Sequence, residues 1–124
     1  MSLITAALLF FLAAAAGGIF LARMHMTPAT APGWLIVAHP LLAAVGLILL
    51  GSGYVRYGGP NLAAWALVVL VLAAIGGMVM ASMRVKRGRA PSALILLHAT
   101  LAVIGILLVL TEVVANDPGA PPEF

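Results

Sequence analysis

The side chains best suited to chemistry in this 124-residue sequence are two histidines set deep in apolar runs, His39 and His98. An imidazole nitrogen binds transition metals, and an ionisable group inside an apolar segment is by default a functional-site candidate. The surroundings of the two recur. With an offset of 59 positions His39 falls on His98, Ala31-Pro32 on Ala90-Pro91 and Gly46 on Gly105, and further upstream Gly17-Gly18 falls on Gly76-Gly77. The chain therefore reads as two tandem copies of one hairpin, repeat 1 at about 1–57 and repeat 2 at about 60–115, followed by a short acidic tail at 116–124. Each copy carries a Gly-Gly in its first arm and a His in its second.

Two equivalent imidazoles at one depth suggest a shared metal. Each histidine lies about six residues into its span, roughly 9 Å along a helix axis. Gly46 and Gly105 follow seven residues later on the same helical face. The Gly-Gly pairs lie about six or seven residues from the ends of their own spans, and so at the histidine depth. In a four-helix bundle the diagonal helices are too far apart for direct packing, roughly 11 to 14 Å. With spans 2 and 4 on a diagonal, His39 and His98 can reach one iron between them, and Gly17, Gly18, Gly76 and Gly77 leave clearance for a flat macrocycle. A bis-histidine b-type haem satisfies ligand type, ligand symmetry and missing side-chain volume together. Arg23 and Arg84, with Lys86, are placed to meet its propionates. A chlorophyll pair, with one His on each magnesium, fits the same symmetry. A cofactor-free bundle, with the histidines as interhelical hydrogen-bond links and the glycines as packing contacts, is the plain structural alternative.

Other chemistry-bearing residues give weaker signals. Met24-His25-Met26 with Met78, Met80 and Met83 offers soft ligands for Cu(I), although methionine is common in apolar helices. His25 reads as a solvated residue of the first connection. Glu112 falls near the face of His98 but about 21 Å further along the helix, and reads as a carboxylate at a helix end near Arg56. There is no Gly-rich phosphate loop, nucleophile triad or HExxH pattern, so a hydrolase or nucleotide enzyme is not indicated.

The elements that must position these residues follow from composition. The chain is 65% hydrophobic and 7% charged with a mean hydropathy of +1.24, which is far outside soluble usage. A hydrocarbon core of about 30 Å takes about 20 apolar residues per helix, so four spans are expected at about 3–22, 33–54, 61–83 and 92–115. No Lys or Arg precedes the first, which predicts a retained helix rather than a cleaved signal. The absence of cysteine leaves His, Met, carboxylate and backbone as cofactor ligands. Of the six basic residues, Arg23, Arg84, Lys86, Arg87 and Arg89 flank the histidine-bearing ends of the spans and Arg56 lies opposite. The positive-inside rule then predicts a cytoplasmic histidine side and both termini outside, with charge reporting topology rather than nucleic-acid binding. Two hairpins inserted the same way up are related by a pseudo-two-fold axis along the membrane normal.

Four spans with intramembrane His39 and His98, and small residues a turn or two from each, loosely resemble the transmembrane cytochromes b of the b561 type. The resemblance covers architecture rather than a sequence signature, and it implies haem ligation by these two residues. Such proteins commonly carry two haems, one toward each face. No histidine lies in the outer half of any span here, so one haem on the cytoplasmic side is expected. The sequence thus predicts an electron-transfer protein of a bacterial inner membrane, with a membrane or cytoplasmic-side redox partner. The alternative is a cofactor-free or chlorophyll-binding accessory subunit of a larger membrane complex.

Overall fold

A computed structural model describes residues 1–57 and 62–116. Four helices account for nearly all of them: α1 (Leu3–Met26), α2 (Gly33–Tyr57), α3 (Leu62–Arg87) and α4 (Ser92–Ala115). Each is long and apolar enough to cross a membrane, so the chain is an all-helical membrane protein. The connection at 58–61 and the acidic tail beyond Asn116 lie outside the described residues.

Three of the helices run past the spans expected from hydropathy. Arg23 and His25 belong to the last turn of α1, Arg56 and Tyr57 to that of α2, and Arg84, Lys86 and Arg87 to that of α3. Hydropathy marks where the hydrocarbon ends, whereas the helix continues until the backbone is stopped, and Arg, Lys and Met are good helix formers. The stops are local. Thr27-Pro28 closes α1. Gly88, at φ 75°, closes α3 by donating its N–H to Arg84 O at 2.9 Å, a left-handed cap that glycine adopts without strain. Ser2 caps α1 by accepting from Thr5 N at 3.1 Å. The two His-bearing helices start alike: Pro32 O accepts from Leu35 N and Ile36 N, and Pro91 O from Leu94 N and Ile95 N, at 3.1 to 3.3 Å. Pro40 is carried within α2 without ending it.

The helices are arranged as a ring. Among the described residues α1 packs on α2, α2 on α3, α3 on α4 and α4 on α1, while the backbones of α1 and α3, and of α2 and α4, do not approach closely. The two His-bearing helices are therefore diagonal, as the metal hypothesis requires. Contacts are most extensive within each hairpin, α1 with α2 and α3 with α4.

Packing is uneven along the bundle. The core cluster of Ala7, Leu8, Phe11, Leu50, Ala63, Ala66, Leu70 and Val109 occupies the half nearer the termini. Two glycines lock it. A Cβ on Gly46 would come within 2.7 Å of the Phe11 ring, and one on Gly105 within 2.5 Å of Leu70. Between the histidines and the basic end, by contrast, Leu35 and Ala90 are the only buried residues among those described.

Candidate functional site

His39 and His98 meet where the packed core stops. Each is tied down within its own hairpin. His39 Nδ1 lies 2.7 Å from Ala14 O of α1, and His98 Nδ1 lies 2.7 Å from Ala73 O of α3. A carbonyl oxygen only accepts, so Nδ1–H is the donor in both, and in the neutral ring the lone pair is left on Nε2. Neither Nε2 has a hydrogen-bond partner among the described residues. Metal-binding histidines are held in this way, since a carbonyl on the far nitrogen fixes tautomer and ring direction and strengthens the donor.

The second glycine of each pair makes the arrangement possible. Gly18 and Gly77 lie one turn beyond Ala14 and Ala73, on the same helical face. With no side chain there, the imidazole settles into the groove and reaches the carbonyl. A Cβ at Gly18 would stand 3.0 Å from His39 Cε1, and one at Gly77 would stand 3.1 Å from His98 Cε1. The first glycines are less constrained. A Cβ at Gly17 would find Leu35 at 3.4 Å and His39 Cβ at 3.7 Å, and one at Gly76 would find His98 Cβ at 4.0 Å, which are ordinary contacts.

Across the diagonal the ring centroids are 6.2 Å apart and the planes are inclined at 80°. The distance is informative. A direct N–H···N hydrogen bond of about 2.9 Å would bring the centroids to roughly 5 Å, so the two rings are too far apart for that bond. A metal–imidazole bond is about 2.0 to 2.1 Å and the ring centre lies about 1.1 Å behind its nitrogen, so two imidazoles on opposite sides of one ion stand about 6.2 to 6.4 Å apart. No third His, Asp or Glu joins the pair among the described residues. The protein therefore offers two neighbouring imidazoles whose Nε2 atoms have no partner among the described residues, a donor set that suits a group bringing further ligands of its own.

The other residues singled out from the sequence divide. Gly17, Gly18, Gly76 and Gly77 lie beside the histidines, and Gly18 and Gly77 make room for the imidazoles themselves. Gly46 and Gly105 face the Phe11 and Leu70 side chains, so their missing volume is already filled by the packed core. Arg23 is exposed on the last turn of α1, and Arg84 is half-buried on the last turn of α3. Neither has an ion pair or side-chain hydrogen bond among the described residues. His25 is partly buried rather than fully solvated. Glu112 is buried, with 8% of its surface exposed, and accepts from Asn116 Nδ2 at 3.0 Å rather than pairing with Arg56. The residues missed from sequence are Ala14 and Ala73, which act through backbone carbonyls that no residue type announces. Their place, one turn before the glycines, is the only trace they leave.

Comparison with known proteins returns no matching family model, no matching curated protein and no matching solved structure.

Proposed function

We propose that this chain is a small membrane cytochrome in which His39 and His98 hold one b-type haem and pass single electrons through it. The observation that carries this reading is the pair of tethered imidazoles, 6.2 Å apart on diagonal helices, at the border of a bundle half that has almost no buried residues of its own. A helical bundle normally fills its centre with side chains. Here the half with few buried residues begins at the two histidines, whose Nε2 atoms have no hydrogen-bond partner among the described residues.

The chain's own residues have separate tasks. His39 and His98 bind iron through Nε2, and the Ala14 and Ala73 carbonyls hold the rings in the binding tautomer. Gly18 and Gly77 admit the rings, with Gly17 and Gly76 beside them. Arg23 and Arg84, at the basic end, are suited to pair with propionates. The core around Phe11 and Leu70 closes the opposite side and excludes water. The haem supplies one-electron chemistry when bound.

The matched hydrogen bonds at His39 and His98 and the matched starts of α2 and α4 support two tandem hairpins related by a pseudo-two-fold axis along the membrane normal. The five basic residues at the histidine end support an inner-membrane protein with that end cytoplasmic and both termini outside. Its partner is then a redox protein on the cytoplasmic side or another membrane subunit.

Spectroscopy of the purified protein tests the reading. A reduced-minus-oxidised difference spectrum of low-spin, bis-histidine type is expected. It should be lost in His39→Ala and in His98→Ala and kept in His25→Ala. Colourless protein of full helicity would favour a cofactor-free subunit, magnesium tetrapyrrole absorption a chlorophyll protein, and stoichiometric copper without haem a bare metal site.

A further inference from the structure

A second binding site is suggested by the outer face of α3. A shallow groove of about 410 Å³ runs along this helix, floored by Ile75, Met78 and Val79 and passing Ser82 to end at Lys86 and Arg87. From Ile75 to Arg87 it extends about 18 Å along the helix axis. Its apolar part faces away from the bundle, with Ile75, Met78 and Val79 all substantially exposed. Its other end carries two cations and a hydroxyl, and neither cation has an acidic partner among the described residues.

We propose that this groove binds one anionic phospholipid, with an acyl chain against Ile75, Met78 and Val79 and the headgroup phosphate at Ser82, Lys86 and Arg87. The polarity follows a lipid along its length: apolar where the bilayer is hydrocarbon, cationic where phosphates lie. Basic pockets at the ends of membrane helices recognise anionic headgroups through this complementarity. A comparable shallow surface on α2 passes Ser52 and ends at a single cation, Arg56, so what sets α3 apart is its pair of cations. With the 59-position offset, Lys86 and Arg87 fall on Thr27 and Pro28, where α1 has already stopped, and Ser82 falls on Arg23. At those two positions the first hairpin carries no cation, so Lys86 and Arg87 are an addition to the second.

This assignment is independent of haem, and its test reads lipid directly. The full chain would be placed in phosphatidylcholine nanodiscs, and binding of phosphatidylglycerol measured by native mass spectrometry. Each surface cation is worth a factor of about 5 toward an anionic lipid, so the Lys86→Gln, Arg87→Gln double variant should bind about 30-fold more weakly. Arg89→Gln, with the same charge change just outside the groove, should stay near the parent. Val79→Trp should weaken binding with all charges intact, because it fills the acyl path. Equal binding of phosphatidylcholine, an Arg89→Gln loss as large as that of Arg87→Gln alone, or displacement of the lipid by excess inorganic phosphate would overturn the proposal.

Discussion

A methyl group added at Gly18 would sit 3.0 Å from His39 Cε1, whereas one added at Gly17 meets nothing closer than Leu35 at 3.4 Å. The two members of each glycine pair therefore carry different demands. Gly18→Ala and Gly77→Ala should push the imidazole off its carbonyl, and disturbing such an outer-shell bond costs roughly tenfold or more in metal affinity. Gly17→Ala and Gly76→Ala should stay close to the parent. Haem retention through purification and the low-spin fraction measure the difference, and nitrogen NMR of the haem-free protein should show the Nδ1–H tautomer weakened only in the first set. Equal behaviour of all four variants would remove the positioning role. The place of the pairs beside the histidines was legible in the sequence, because the repeat aligns them and counting along the helices sets them at histidine depth. Which glycine of each pair meets the ring depends on the rotation of α1 against α2, and hydropathy carries no such information.

At the scale of the helices, the bundle divides into a half stabilised by its own side chains and a half, beginning at the histidines, with few buried residues. Gly46 and Gly105 belong to the first. Gly46→Ala places a Cβ 2.7 Å from the Phe11 ring, and overpacking of this kind typically costs about 1 to 3 kcal/mol. Pairing it with Phe11→Leu should return part of that loss in an unfolding titration in detergent. Both variants should still bind haem, since His39, His98 and their carbonyl partners are untouched. Additive losses in the double variant would show that the contact is not the cause. From sequence these glycines read as further clearance for a cofactor, because absent volume has no label saying what fills it. The structure fills it with Phe11 and Leu70. The histidine half predicts the opposite behaviour. Adding haem should slow amide exchange in α1 beyond Ala14 and in α3 beyond Ala73, where almost nothing is buried, and should leave the stretches around Ala7, Leu50 and Val109 nearly unchanged. Uniform protection along all four helices would mean that the two halves are not separate units.

For the molecule as a whole, the position of the site along the bundle decides which aqueous phase it serves. His39 and His98 lie toward the end that carries Arg23, Arg84, Lys86, Arg87 and Arg89, and the half between them and the termini is closed by the core around Phe11 and Leu70. Only Arg56 marks the other end among the basic residues. This asymmetry was legible from sequence, since it rests on charge counts rather than on packing. On the proposed reading the positive-inside rule makes the basic end cytoplasmic, and an electron partner is then expected on that side or in a neighbouring subunit. Thiol labelling in intact cells tests the orientation. A cysteine at Ser2 should react with an impermeant reagent, and one at Thr30, in the exposed connection between α1 and α2, should react only after lysis. Thr30 serves better than Gly88 for this purpose, because the φ of 75° at Gly88 would strain any side chain placed there. The reverse labelling pattern would turn the molecule over. The histidine pair would then face the outer phase, and the redox partner would have to be sought among periplasmic proteins.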